Sequence, residues 1–224
     1  MRVKRLLVLS ALAAAFVVPS ARADATSSPV LVYVDNVSSA VTQAELEADL
    51  PAFQLAVSRD LQRFWGVDAV LTANPSDRPA AQMVVSLEDD ATCLGCLGEH
   101  DVVKGVPTAF VYAHTSALFN EAWSLVFTHE LFEMLVDPWL NRFSLWNKRS
   151  WLVEDADPVE SGFYAYSING VVISDFITPA WYGSIEGKLA GPFDFTGGLK
   201  RAGQIGRHGY ASYLNSGGWH QAIG

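Results

Sequence analysis

The chain has 224 residues, 24 acidic against 15 basic side chains, and a formal charge of −9. An acidic chain of this kind lacks the basic patches that nucleic acid and anionic membrane surfaces attract, so neither is expected as a partner. The length suits one substantial hydrophobic core or a core with a smaller lobe.

Residues 1–23 read as an export signal. Arg2, Lys4 and Arg5 form a basic start, Leu6–Val18 an apolar core too short for a membrane span, and Ala21-Arg22-Ala23 an A-x-A cleavage site. Cleavage removes four basic residues (Arg2, Lys4, Arg5, Arg22) and no acid, which moves the formal charge to −13 and leaves a secreted or periplasmic chain with no membrane anchor. Acid excess suits cation binding and equally an ordinary soluble surface. Nothing in the sequence sets an oligomeric state.

Val30–Val34 is a β-branched apolar run and reads as a buried strand. Thr42, followed three residues later by Glu45, forms a capping box, and the helix it opens is expected to run to about Trp65, with an adjustment at Pro51 and a stop at Gly66. Val67–Leu71 and Gln82–Leu87 read as strands around an Asn74-Pro75 turn. Glu88–Lys104, with its acids and glycines, reads as a loop stapled by a disulfide between Cys93 and Cys96. A lone C-x-x-C lacks the second pair a zinc knuckle requires. Pro107–Ala113 reads as a further strand, at an edge because of its proline.

Glu121–Val136 is nearly all apolar yet carries His129, Glu130 and Glu133, with Asp137 just beyond. Asn120 can cap this helix and Pro138 stops it. At about 100° per residue, Glu133, Asp137 and Glu130 fall roughly 40°, 80° and 100° from His129 on one arc. Buried charge without a partner is expensive, so a metal-binding helix is the reading that explains the arc, against a solvated acidic face. In the H-E-x-x-H pattern two histidines hold zinc and the intervening Glu acts on water. Here the second position is Glu133, a harder ligand, with Glu130 offset as a general base.

A third ligand is expected from Trp151–Gly162, which offers Glu154, Asp155, Asp157 and Glu160. The order of preference is Asp157, Glu154, Glu160, with Glu160 otherwise a supporting acid. Asp137 is read as orienting Glu133 or a neighbouring loop. The same acids supply enough oxygen in sequence for an independent calcium site. His100, His114, His208 and His220 each read as structural or exposed, since nothing in sequence pairs them. The Gly-flanked Arg207–Tyr210 segment is the one that could reach over a cleft. The Trp-rich second half reads as packing, with a carbohydrate platform as the sharper alternative, and Ile168-Asn169-Gly170 as a hairpin turn.

The order strand, helix, strand, strand, strand, helix with a metal motif on the second helix resembles the zincin metallopeptidases. The segments H-E-L-F-E-M-L-V-D-P, E-D-A-D-P-V-E and N-G-V-V-I-S-D-F-I-T-P resemble a little-characterised group of bacterial and phage zincin-like proteins. The resemblance covers roughly Val30 to Trp181 and departs from the usual pattern at Glu133. It implies an α+β fold over residues 24–224: a small mixed sheet on two long helices through residue 138, then a loop-rich lobe over 139–224. It also implies His129 and Glu133 as ligands of a divalent metal, zinc foremost, Glu130 as base, and a peptide or protein substrate lying along Pro107–Ala113. Two other functions compete: a non-catalytic, metal-stabilised binding protein, and a glycoside hydrolase using a carboxylate pair such as Glu130 and Glu154.

Overall fold

The computed structural model describes residues 29–183 and 191–224. The expected export signal lies outside them. Among the described residues, no helix is long and apolar enough to cross a membrane.

The chain is mixed α+β. Strands β1 (Val30–Asn36), β2 (Ala69–Thr72), β3 (Met83–Glu88), β4 (Gly98–Val103) and β5 (Val106–Tyr112) form a five-stranded sheet in the order β2-β1-β3-β5-β4. All pairings are parallel except β4 on β5, whose register places His100 opposite Ala109. Burial alternates cleanly along β3, with Met83, Val85 and Leu87 inward, as expected for a sheet covered on one face.

The first helical segment begins as expected: Thr42 accepts from the Glu45 amide and Glu45 accepts from the Thr42 amide. Helix α1 (Gln43–Leu55) accommodates Pro51 in regular α geometry. The adjustment comes later, as a π-helical stretch at Ala56–Leu61, before α2 (Gln62–Trp65) closes on Gly66 at φ 69°. That stretch holds buried Asp60 where Arg59 and the Tyr166 hydroxyl bond it.

After β5 comes a short helix, α3 (Ala113–Leu118), and then α4 (Trp123–Val136), the expected metal helix. Asn120 does not cap α4: it sits at φ 57° in the connecting turn, and Ala122 is the N-cap residue with no side-chain bond. Phe53 of α1 stacks on Phe127 of α4 at 4.3 Å, locking the two helices together. Thr128 donates to the Ser124 carbonyl and accepts from the Ser174 amide, tying α4 to the chain behind it.

Two strand expectations are corrected. The segment expected as one loop, Glu88–Lys104, contains β4, which the positive-φ residues Lys104 and Gly105 turn back against β5. The strand with Pro107 is therefore internal, and β4 is the edge. Pro107 is tolerated as the second residue of β5, before the register with β3 begins at Thr108.

The second half is also more regular than a loop-rich lobe. Strands β6 (Phe143–Trp146), β7 (Arg149–Leu152), β10 (Tyr210–Asn215) and β11 (Gly218–Ile223) form an antiparallel sheet in the order β11-β10-β7-β6. Strands β8 (Tyr166–Ile168) and β9 (Val171–Ile173) make the expected hairpin, with Asn169 and Gly170 both at positive φ. Trp146, Trp151 and Trp181 pack against one another inside this lobe.

Candidate metal centre

Three parts of the chain converge on one pocket of about 620 Å³: edge strand β4, one side of α4, and the segment from Glu154 to Glu160 after β7. Helix α4 places His129 and Glu133 one turn apart, with His129 Nε2 at 3.3 Å from Glu133 Oε1. The chain leaving β7 turns through a short 3-10 helix, Asp157–Val159, which sets Asp157 Oδ1 at 3.5 Å from the same His129 nitrogen. The Asp157 amide donates to Glu133 Oε1 at 3.1 Å, so backbone as well as side chain fixes this corner. Gly209 makes that turn possible, because a Cβ there would meet the Pro158 carbonyl and lie 2.9 Å from the Asp157 oxygen.

On the other side of Glu133 stands His100, which the sequence offered no reason to pair. Strand β4 carries it in from the sheet edge with only 5% of its side chain exposed. His100 Nδ1 lies 3.6 Å from Glu133 Oε2 and 3.8 Å from Glu130 Oε2, and Nε2 lies 3.6 Å from Glu154 Oε2. Glu130 sits against the backbone of Gly98, where no side chain fits: a Cβ would lie 2.6 Å from Glu130 Cγ.

Of the expected residues, His129, Glu130, Glu133, Glu154 and Asp157 all line this pocket, and Glu160 lines it too. Glu154 and Asp157 face different histidines. Asp137 stands apart from the expected arc: it leaves helical geometry at the C-cap, and its carboxylate accepts from the amides of Asn141 and Arg142. It orders the following loop. His208 and Tyr210 of the Gly-flanked segment do line the pocket, while His114 pairs with Asp90 and His220 with Asn215 on the surface. Cys93 and Cys96 are joined as expected and border the pocket just before β4.

The electrostatics are those of a site short of positive charge. Glu130, Glu133, Glu154, Asp155 and Asp157 are all buried, and among the described residues no lysine or arginine lines the pocket. Burial and the charge of Glu133 push the Asp157 carboxyl up to about 8. Burial likewise raises Glu154 and Asp155 well above the carboxylate range. Burial opposes charge on both histidines, yet surrounding carboxylates win: Glu154 foremost holds His100 well above its ordinary value, and Glu133 does so for His129. Glu133 shows the reverse balance, with burial overcome by the two imidazoliums so that its pKa falls. His100 Nε2, Glu154 Oε2 and both Asp155 oxygens are buried with no hydrogen-bond partner.

This donor set fits a divalent cation. Two ligands of a tetrahedral ion with bonds of about 2.1 Å stand about 3.4 Å apart, close to the 3.3 Å from His129 Nε2 to Glu133 Oε1 and the 3.5 Å from the same nitrogen to Asp157 Oδ1. One ligand atom each from His129, Glu130 and Glu133 lie within 4.8 Å of one another, and so do those of His100, Glu133 and Glu154. Comparison with protein-family models, with curated proteins and with solved structures finds no match.

Proposed function

We propose that this protein is an exported, metal-dependent hydrolase of the zincin type acting on peptides. The observation that carries the reading is the buried corner in which Glu133 Oε1 and Asp157 Oδ1 lie 3.3 and 3.5 Å from His129 Nε2, with a Glu130 oxygen within 4.8 Å of ligand atoms of His129 and Glu133. A divalent cation held there would act as a Lewis acid toward a carbonyl oxygen and would lower the pKa of water. Glu130 would take the proton of the attacking water and return it to the leaving amine, as a general base and then acid. Burial raises its pKa from the ordinary value, which suits a group that must carry a proton for part of a cycle. Tyr210 faces Asp157, and burial keeps its phenol protonated, so it can donate a hydrogen bond into the pocket. The open edge of β4 offers backbone groups to an extended chain, the role first expected of Pro107–Ala113. The Cys93–Cys96 disulfide supports an oxidising compartment.

The test is cleavage of a peptide library by zinc-loaded protein, read by mass spectrometry. Glu130→Gln is expected to keep its metal and lose about 10²- to 10⁴-fold in rate. An unchanged rate in that variant removes the mechanism. A metal-loaded protein that cleaves nothing, but loses thermal stability in His129→Ala, is instead a metal-stabilised binding protein.

A further inference from the structure

The pocket holds a second set of donors that the proposed reaction leaves unused. His100 Nε2 and Glu154 Oε2 face each other at 3.6 Å, and each is buried without a hydrogen-bond partner. Both side chains are nine-tenths or more out of solvent, at 5% and 10% exposure. A buried imidazole and carboxylate left in this state lose their solvation and gain only a long contact in return.

Glu133 connects this pair to the first corner. Its Oε1 lies beside His129, and its Oε2 lies beside His100. The two oxygens of one carboxylate thus serve two different histidines, as in a bridging ligand. Each histidine has its own further acid, Asp157 for His129 and Glu154 for His100.

We propose that the centre takes two divalent cations bridged by Glu133, the second held by one ring nitrogen of His100, by Glu154 and by Glu133, ligand atoms of which lie within 4.8 Å of one another. The proposal rests on the metal-dependent reading above. Charge favours it: one dication among the buried carboxylates of Glu130, Glu133, Glu154 and Asp157 that line the pocket leaves half of their charge uncompensated, and a second balances it. Ions sharing one carboxylate stand about 3.5–4 Å apart, a separation typical of two-metal hydrolytic sites. The ligands are oxygen-rich, so the second position suits zinc, manganese or cobalt rather than a soft ion.

Metal content decides the matter without any activity assay. The purified protein is stripped with chelator, reloaded with excess zinc, desalted, and its metal counted per folded chain. The expected counts are two for the wild type and one for both His100→Ala and the shape-preserving Glu154→Gln. A count of one in the wild type that neither substitution changes overturns the second position and leaves the first reading standing. Complete loss of metal in His100→Ala also overturns it, since both histidines would then serve one ion. Two ions that persist in both variants place the second ion elsewhere and overturn it as well. No bound metal at all overturns the metal-dependent reading itself. In the manganese-loaded protein, the bridge is expected to give an exchange-coupled electron paramagnetic resonance spectrum, and two independent signals would refute it.

Discussion

Gly98 shows how single residues aim this centre. The space a side chain would take there is filled by Glu130, with Cγ and Oε1 both 2.6 Å from a Cβ and Val126 Cγ1 at 2.8 Å. Gly98→Ala is therefore expected to displace the proposed base, since two of the three nearest atoms are Glu130's and none belongs to His129, Glu133 or Asp157. Displacements of about 1 Å cost on the order of 10²-fold in rate, so peptide hydrolysis is expected to fall by about that factor with bound metal unchanged. A Gly98→Ala rate within twofold of the wild type would argue against Glu130 as base. His129, Glu130 and Glu133 were legible in the sequence because helix periodicity alone sets their relation. Asp157 and Glu154 were legible as a local cluster, but not which histidine each would face. His100 was hidden, because its place depends on the β4–β5 pairing and nothing near it in sequence points to Glu133 or Glu154.

Elements matter here through their ends. Helix α4 stops at Val136, and Asp137 then satisfies the amides of Asn141 and Arg142 at 3.1 and 2.8 Å. Asp137→Ala leaves two donors without that acceptor and is expected to lower stability by about 1–3 kcal/mol, a few degrees in Tm. If chelated and metal-loaded protein lose equally, Asp137 serves the loop; a loss confined to the loaded form would tie it to the centre instead. The capping box at Thr42, the Gly66 stop and the Asn169-Gly170 turn were readable because each is decided within a few residues. Strands β4, β10 and β11 were not. Their sequences mix polar, small and aromatic residues without a clear apolar run, and they become strands by pairing with β5, β7 and each other rather than by their own pattern.

For the molecule as a whole, buried acids set the response to ions and to pH. A cation bound only by the folded chain stabilises it by mass action, so chelation is expected to lower Tm of the wild type by more than that of His129→Ala, which keeps only the position at His100. A separate pair acts away from the pocket. Asp175 is buried beside Asp194, with Thr196 hydrogen-bonded to both, and burial together with Asp194 pushes its carboxyl up to about 8. The folded chain keeps that proton where the unfolded chain, with an ordinary carboxyl, has lost it. Stability from this group therefore falls as pH rises from about 4 to about 8. Asp175→Asn removes the dependence, so the stability of the wild type relative to the variant should decline across that window in urea titrations. A flat difference would mean that Asp175 is ionised in the folded protein.

The exposed edge of β4 has a colloidal consequence. An unpaired strand edge is a template on which copies of a chain can stack, and Gly98 to Asp101 of this one also line the pocket. Its sequence answers with Glu99 and Asp101, whose like charges would face each other between two paired copies. Replacing Asp101 with threonine and Glu99 with glutamine, which keeps an acceptor for the Tyr112 hydroxyl, should leave the strand intact but turn a dispersed protein into one that aggregates on concentration, as light scattering would report.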